Sequence, residues 1–367
     1  MTGVKSFWQR ITDGIELEQL FIQFRAEARA SYDLYSKEID WKAAKGESHV
    51  RRSFRIAKAV FWAMMMKLSP GRRLLLLVSL VLLMFPHMEF NFGNGQQFKI
   101  DGFTFFGGVG LLILLSLELA DRVMLKRDLE IAKEIQSWLM PASAPKVPGI
   151  DIAFTTRPAN TVAGDYYDAF FRPGEPRRLL VAVADVAGKS VPAALLMATL
   201  QASLRTLAEG SGSLLEVAGM LNRYVCAQNP EGRRFTTGFL MEIDPATREF
   251  VYINAGHNWP VLRRASGAVE RLETGGLPFG IMTAAPYETG AGRLEAGDIL
   301  IIFTDGLVEA ENERQDEYGE ERMLGLIAGM KDGTAADALS RLTTSVNTFV
   351  GATRQHDDIT CLILRVS

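Results

Sequence analysis

The stretch LLVAVADVAGKS, residues 179–190, decides how the larger part of this chain folds. Leu179–Ala184 is an uninterrupted apolar run, which predicts a buried strand. Asp185 follows directly, and the small residues after it indicate a turn. A carboxylate at the end of a buried strand is costly unless something neutralises its charge. This stretch therefore predicts a strand that presents an acidic side chain at its end.

The pattern repeats along the chain from about residue 149 onward. Further strands are predicted at Phe235–Met241, Phe250–Asn254, Ile299–Phe303 and Thr360–Val366. Helices are predicted at Pro192–Leu207, Leu214–Gln228 and Ala335–Phe349. Strands outnumber helices, and several are separated by hairpin-length gaps. We therefore expect a mixed α/β (α+β) fold with largely antiparallel sheets, and not a doubly wound parallel sheet.

Aspartates stand at the ends of other apolar runs as well. Asp165 lies in VAGDYYD, Asp305 follows DILIIFT, and Asp357 and Asp358 precede ITCLILRV. A single aspartate of this kind is usually a turn former or a helix N-cap. Several carboxylates that converge at one rim of a sheet stack repel one another, and a divalent cation removes that repulsion. Oxygen ligands suit magnesium or manganese, and two such ions can activate water for hydrolysis of a phosphate ester.

The remaining composition narrows the function further. Two cysteines and four histidines, without zinc-type spacing, argue against a metal held by nitrogen or sulfur. The net charge of −3 gives no reason to expect a nucleic-acid partner. His257, in NAGHN, could act as a general acid, but a structural role in fixing the turn is the favoured interpretation.

Two apolar blocks predict a membrane hairpin. It would follow a helical, cytoplasmic N-terminal region, residues 1–70, and precede the linker and the mixed α/β part of the chain. Leu74–Phe85 and Phe103–Leu117 are shorter than the roughly 20 residues that a span needs, but their flanks extend them to about 72–90 and 103–120. Basic residues precede the first block and follow the second, which favours both ends in the cytoplasm. The alternative is a pair of buried core helices in a soluble dimer.

Residues 121–140, DRVMLKRDLEIAKEIQSWLM, lack glycine and proline and predict one helix within a linker at 121–147. Side chains recur along it in steps of four and three, as in a coiled coil; they are Leu125, Leu129, Ala132, Gln136 and Leu139, flanked by Ile131 and Ile135. We expect a dimer helix and candidate switch. The alternative is an amphipathic helix packed on its own domain.

Seven motifs together resemble one family, the type 2C-like metal-dependent protein phosphatases, in the branch of stage II sporulation protein E and RsbU. They are DLEIAKEIQSWLMP, RPANTVAGDYYDAF, VADVAGKSVPAALLMA, YINAGHNWPVL, FTDGLVEAEN, YGEERM and DDITCLIL. The resemblance covers about residues 125–367. It implies a two-sheet sandwich flanked by helices over 148–367, with a binuclear Mn²⁺ or Mg²⁺ site at one edge.

The resemblance also implies residue roles. Asp185 is similar to the ligand that bridges both ions, and the carbonyl of Val186 to a neighbouring ligand. Asp165 resembles the carboxylate of the second ion, whereas Asp305 and Asp357 resemble ligands of the first. Two further residues are weaker candidates: Asp358 as a ligand, and Arg157, by position, as the group that binds the substrate phosphate.

The expected function is hydrolysis of phosphoserine or phosphothreonine by a water that the metal site activates. The resemblance suggests a phosphorylated anti-sigma-factor antagonist as substrate. The apolar hairpin and its basic flanks predict a multi-pass protein of the bacterial inner (cytoplasmic) membrane with its phosphatase domain in the cytoplasm. Two other functions stay open: a catalytically degenerate membrane sensor or scaffold, and a metal-dependent phosphodiesterase or nuclease. The second predicts a basic groove, and residues 151–185 show no basic run.

Overall fold

The computed structural model describes residues 49–85, 87–91, 97–174, 177–210, 212–229, 234–330 and 333–367. The chain divides into two compact units, one up to Met124 and one from Leu125 to Ser367. Most of the predicted N-terminal region 1–70 lies outside the described residues, so its prediction stays open up to residue 48.

From residue 49 onward, the described part of the first unit contains three helices and a small hairpin. The helices are α1 His49–Lys67, α2 Pro70–Met84 and the first part of α3 Phe103–Leu139. Strands β1 His87–Asn91 and β2 Gln97–Asp101 pair antiparallel between α2 and α3. Helix α2 ends at Met84, before the end of the predicted apolar span at about residue 90, and the membrane span itself stays a prediction. Phe85 precedes a proline, a position that disfavours helical backbone.

Small residues bring α2 and α3 close together. A Cβ added to Gly110 would lie 2.1 Å from Ser79 Oγ, and one added to Gly107 would lie 2.8 Å from the Ser79 carbonyl oxygen. Arg72, at the start of α2, donates to Glu118 at 2.9 Å and to Asp121 at 2.6 Å on α3. The large apolar side chains around this contact point outward instead of into a core.

Helix α3 is one element of 37 residues, about 55 Å long. The predicted second apolar span and the predicted linker helix are therefore parts of a single helix. By length and composition alone, α3 is one of two described helices that could cross a membrane. Helix α2, with 15 residues, is shorter than a full span.

The second unit contains two β-sheets. One has the strand order β10-β7-β6-β5-β4, with β11 also paired to β7, and the other has the order β3-β13-β12-β8-β9. Among the described strands, the pairings in both sheets are antiparallel except that of β10 with β7. The strands of the first sheet are β4 Tyr166–Phe171, β5 Leu179–Val186, β6 Thr236–Ile243, β7 Glu249–Ala255, β10 Gly275–Gly276 and β11 Gly290–Arg293. Those of the second are β3 Ile150–Arg157, β8 Val261–Arg263, β9 Val269–Arg271, β12 Ile299–Phe303 and β13 Ile359–Val366.

The strand side chains alternate between two apolar layers. Leu179, Val181 and Val183 of β5 point into a core shared by the two sheets. The side chains between them, such as Leu180 and Ala182, pack against helices α4 Val191–Ala208 and α5 Leu214–Ala227. A third cluster lies between the second sheet and the helices α6 Asp305–Val308, α7 Glu320–Ala328 and α8 Ala335–Val350. The result is a four-layer sandwich, helix–sheet–sheet–helix.

This architecture confirms the expected fold class. The five predicted strands and three predicted helices are present, each within two residues of its predicted ends. Helix α4 is the other described helix long and apolar enough to cross a membrane, but its buried face packs inside this unit. Strands β3 and β4 were not predicted, and both border the candidate site.

Candidate metal centre

In the first sheet, strand register brings two aspartates together. Strands β4 and β5 pair antiparallel with Tyr166 opposite Ala184. The residues one step beyond this pair, Asp165 and Asp185, therefore lie beside each other at one rim. Asp165 is only 1% exposed.

The second sheet presents its carboxylates at its own rim. Phe303, the last residue of β12, pairs with Cys361 near the start of β13. Asp305 follows β12, and Asp357 and Asp358 precede β13, so the antiparallel pairing places all three at the same end of the two strands. Gly306 allows this close approach, because a Cβ there would lie 2.1 Å from the Asp358 carbonyl oxygen.

A buried hydrogen bond joins the two rims. The Thr304 hydroxyl donates to Asp165 Oδ2 at 2.9 Å, and Thr304 is fully buried. Its hydroxyl also accepts from the Thr360 backbone amide at 3.0 Å. The carboxylates of the two sheets therefore face one another across a shared edge of the sandwich.

Burial and mutual repulsion raise the pKa values of these carboxyl groups. Burial, and then the charge of Asp185, raises the pKa of Asp165 well above its ordinary value. Burial, and then the charges of Asp305 and Asp357, raises the pKa of Asp185 to about 7. The pKa values of Asp305 and Asp358 are raised too, mainly by burial. Near neutral pH the cluster therefore needs either protons or a cation.

The donor set fits a hard divalent cation. It consists of carboxylate and backbone oxygens, which Mg²⁺ and Mn²⁺ prefer. Within the described residues, no group of three or more His, Cys, Asp or Glu side chains already has the spacing of a metal site. A bound ion would therefore have to reorient some of these side chains.

The backbone at this edge also contributes oxygen atoms. A Cβ added to Gly164 would lie 3.2 Å from the Val186 carbonyl oxygen. The loop that carries Asp165 therefore runs directly against the end of β5. The Val186 carbonyl lies at this rim, and its role as a ligand, which the family resemblance implies, stays a prediction.

Asp357 and Asp358 look equivalent in the sequence but have different partners. Asp358 accepts from the backbone amides of Ala159 at 2.7 Å and Gly164 at 2.6 Å, one with each carboxylate oxygen. These bonds hold the loop that carries Asp165. Asp358 is therefore occupied with positioning that loop, which agrees with its weaker standing as a ligand.

Asp357 faces Lys189, a residue without a predicted role in metal or phosphate binding. Lys189 Nζ lies 2.9 Å from Asp357 Oδ2 and donates to the His356 carbonyl oxygen at 2.7 Å. Lys189 stands four residues after Asp185 in the turn that follows β5. The AGKS turn was the signal that could have identified it.

Arg157 lies in a pocket of about 130 Å³ beside the carboxylates. Lys189, Glu309, Arg354 and Asp357 also line this pocket. The Arg157 guanidinium donates to the side-chain oxygens of Gln355 and Asn347. It lies beside the candidate centre, and its role in phosphate binding stays a prediction.

His257 has the surroundings of a structural residue. It is 4% exposed, its Nδ1 lies 2.9 Å from Thr237 Oγ1, and its backbone amide donates to Asn254 Oδ1 at 2.7 Å. Burial lowers the pKa of His257 to about 4, so the ring is neutral near pH 7. A neutral buried imidazole is a poor proton donor, which supports the favoured structural interpretation over a general acid.

The second aspartate of the DYYD motif is structural as well. Asp168 is fully buried, and both of its carboxylate oxygens accept from Arg205, at 2.7 and 2.8 Å. The Tyr166 hydroxyl donates to the same carboxylate at 2.7 Å. This network ties β4 to α4 directly behind Asp165.

The end of α3 contacts the loop that carries Asp165. The Gln136 amide donates to the Ala163 carbonyl oxygen at 2.8 Å and accepts from the Ala163 amide at 2.9 Å. Gln136 thus faces its own domain, as the alternative interpretation of this helix expects. Ile131 and Ile135 are each 47% exposed and Trp138 is 71% exposed. Three exposed apolar side chains therefore lie on the outward surface of the helix.

Comparison with known proteins identifies the family. Residues 175–367, more than half of the chain, match the family model of stage II sporulation protein E (SpoIIE). The chain belongs to the SpoIIE family. The family resemblance inferred from the seven motifs is thereby confirmed.

Two curated relatives illustrate how far the similarity extends. Phosphoserine phosphatase RsbU of Bacillus subtilis is 32% identical over 190 residues, which cover 52% of this chain and 56% of RsbU. Protein IcfG of Synechocystis sp. is 25% identical over 275 residues, 68% of this chain and 43% of IcfG. This SpoIIE-family chain thus spans about half the length of the curated relatives it matches.

Solved structures confirm the fold. The RsbU and RsbW domains of Rv1364c from Mycobacterium tuberculosis align with a TM-score of 0.52 and 29% identity, over 62% of this chain and 63% of that one. The SiaA-PP2C domain of Pseudomonas aeruginosa aligns with a TM-score of 0.59 and 20% identity, over 68% of this chain and 99% of that one. The sandwich unit of this SpoIIE-family chain therefore has a PP2C-like fold.

Proposed function

We propose that this protein is a metal-dependent phosphatase that hydrolyses phosphoserine or phosphothreonine in a protein substrate. The observation that carries the proposal is the convergence of Asp165, Asp185, Asp305 and Asp357 from two sheets at one edge. Burial, and then the neighbouring carboxylates, raise the pKa of Asp185 to about 7, and a divalent cation would neutralise the charge that they disfavour. Membership of the SpoIIE family and the name of the relative RsbU, a phosphoserine phosphatase, support the reaction class.

Each residue has a defined role in this proposal. Asp185 and Asp165, with the Val186 carbonyl, would hold one of two Mn²⁺ or Mg²⁺ ions. Asp305 and Asp357 would hold the other, with Asp185 between the two. When bound, such ions lower the pKa of water and neutralise phosphoryl charge.

The pocket beside the carboxylates would accept the phosphorylated side chain. Arg157 lies there with its guanidinium fixed by Gln355 and Asn347, so a phosphate oxygen would meet a positioned donor. Among its described lining residues the pocket offers no thiol. A cysteine nucleophile is therefore not available among these residues, and the proposal assigns the attack to water.

The proposed substrate is a phosphorylated anti-sigma-factor antagonist in partner-switching signalling. It rests on the family and on the relatives RsbU and RsbP, both named phosphoserine phosphatases. The fold and the metal centre alone do not select this substrate.

For the remaining chain we propose a membrane hairpin built from α2 and the first part of α3, within 71–120, in a bacterial cytoplasmic membrane. The outward apolar side chains of these helices support it.

The linker 121–147 would form a dimer helix that acts as a switch on the phosphatase domain 148–367. The exposed Ile131, Ile135 and Trp138 would face the second copy, and Gln136 would couple the helix to the loop of Asp165.

The test measures phosphate release by the full chain in detergent from a panel of phosphoserine proteins, with Mn²⁺, Mg²⁺ or EDTA. We expect turnover that requires the metal and is lost in Asp185→Asn. Asp151→Asn is a matched control, because it makes the same change at an exposed position at the opposite end of β3 from Arg157. No turnover with either metal would instead support a catalytically degenerate sensor or scaffold.

Two further measurements test the finer proposals. Retention of the chain in carbonate-washed membranes would support the hairpin, whereas recovery of a soluble, monodisperse full chain would contradict it. Sedimentation of Ile131→Ser/Ile135→Ser should show monomers if the outward face of the helix forms the dimer. An unchanged mass would contradict that interface.

A further inference from the structure

Lys189 and Asp357 connect the two rims of the candidate metal centre. Lys189 follows β5 in the first sheet, whereas Asp357 precedes β13 in the second. Their charged atoms are 2.9 Å apart, and the Lys189 ammonium also donates to the neighbouring His356 carbonyl at 2.7 Å. Two acceptors from one short segment thus hold the ammonium at a defined place.

The other cations of the pocket are arranged differently. Arg157 is directed to the amide oxygens of Gln355 and Asn347. Arg354 lines the pocket and is exposed. For Asp357, the described residues provide one ion-pair partner, Lys189. The positive charge of Lys189 also opposes the rise in the pKa values of Asp305 and Glu309. Among the described cations that line this pocket, Lys189 is therefore the one that contacts a candidate metal ligand.

We propose that Lys189 is a built-in competitor of the metal: its ammonium group and a divalent cation bind Asp357 Oδ2 in exchange. This inference rests on the proposed function, because it assigns Asp357 to the metal centre. An ammonium at hydrogen-bond distance and a divalent ion at about 2.1 Å from the same oxygen would repel each other strongly. Metal binding therefore requires that Lys189 leave Asp357.

The exchange lowers the affinity of the centre for its metal. Part of the binding free energy of the metal is spent on breaking the Lys189 ion pair, so the centre releases its metal more readily than the carboxylates alone would allow. Lys189 is 55% and Asp357 40% exposed, so this contribution is modest and is screened by salt.

The experiment is a calorimetric titration of the EDTA-treated full chain in detergent with Mn²⁺. We expect Lys189→Met to bind Mn²⁺ about two- to fivefold more tightly than the wild type, which is the range of an exposed ion pair. Lys189→Arg keeps the charge and should stay close to the wild type. Arg354→Met removes a charge from the same pocket without a contact to Asp357 and should change the affinity less than twofold.

A double variant tests whether the effect passes through Asp357. In an Asp357→Asn background, Lys189→Met should no longer increase the Mn²⁺ affinity, because the shared oxygen has lost its charge. Raising the salt concentration should narrow the difference between the wild type and Lys189→Met.

The outcomes distinguish this inference from the proposed function. If the wild type binds Mn²⁺ but Lys189→Met binds it equally or more weakly, or if Arg354→Met gains as much, the exchange is refuted while the metal centre stands. If the wild type neither binds Mn²⁺ nor releases phosphate, the proposed function fails and the exchange with it.

Discussion

The substitution Asp185→Asn should stabilise the metal-free fold while it abolishes metal binding. Asp185 is surrounded by like charges, and its pKa of about 7 compares with 3.8 for an ordinary aspartate. That difference corresponds to about 4 kcal/mol against the ionised form in the folded state. Because Asp185 is partly exposed and its charge is shared with its neighbours, we expect a net gain of about 1–3 kcal/mol for the neutral asparagine.

The direction of the pH dependence follows from the raised pKa. Between about pH 3.8 and pH 7 the folded state holds a proton on Asp185 that the unfolded state has lost. The free energy of unfolding of the metal-free wild type therefore falls as the pH rises through this window. Since the asparagine of the variant does not titrate, its advantage should be full above about pH 7 and disappear toward pH 4.

The assay is equilibrium urea unfolding of the sandwich unit, residues 125–367, in EDTA at pH 5 and pH 8. Asp298→Asn provides a matched control, which should lower the free energy of unfolding instead of raising it. Its carboxylate accepts from Arg264 at 2.8 Å and from the Glu295 backbone amide at 2.9 Å. The loss of these charge-assisted bonds should cost about 2 kcal/mol.

A second arm adds Mn²⁺. At 100 times its Kd, the metal should stabilise the wild type by about 2.7 kcal/mol and Asp185→Asn by far less. If Asp185→Asn is less stable than the wild type at pH 8 in EDTA, as the control is, repulsion among the carboxylates is not the dominant effect at this site and the reasoning is refuted.

Three further substitutions test the surrounding structure. Gly306→Ala would place its Cβ 2.1 Å from the Asp358 carbonyl oxygen, so it should cost about 1–3 kcal/mol in urea unfolding and weaken Mn²⁺ binding in calorimetry; wild-type values for both would contradict the close approach. Arg205→Met leaves its buried carboxylate partner unpaired and should cost about 3 kcal/mol in the same unfolding assay, whereas a loss below about 1 kcal/mol would show that the ion pair is not needed. Gly110→Leu should open the contact between α2 and α3 and increase proteolysis in detergent. Gly108→Leu should not, because no atom of the described residues lies within 4 Å of its added Cβ. Equal sensitivity of the two variants to the protease would contradict the packing.

Much of the sandwich could be predicted because its strands are continuous apolar runs. Leu179–Ala184 and Ile299–Phe303 are buried on both faces, so composition alone identifies them. Strands β3 and β4 were missed because they contain polar side chains whose partners lie far away in sequence. The clearest case is Asp168 in β4, whose charge is neutralised by Arg205 on α4.

Two other differences between the sequence predictions and the structure also arise from partners that are distant in the chain. Gln136 fits a coiled-coil pattern in the sequence, but its amide bonds to Ala163, 27 residues later. Physical reasoning on the sequence likewise offered no means to separate Asp357 from Asp358. Their different partners, an ammonium group for one and two backbone amides for the other, come from distant parts of the chain.

The amino-acid sequence by itself determined the fold class, the main strands and helices, and the aspartates that stand at the strand ends. These properties are local, because they depend on runs of neighbouring side chains and on the residues that end them. Only the tertiary structure decided which of these carboxylates face one another, which one holds a loop, and that Lys189 reaches Asp357. Such contacts depend on strand register and on the packing of two sheets. They join residues that are distant in the chain, 139 positions apart for Thr304 and Asp165 and 167 for Lys189 and His356.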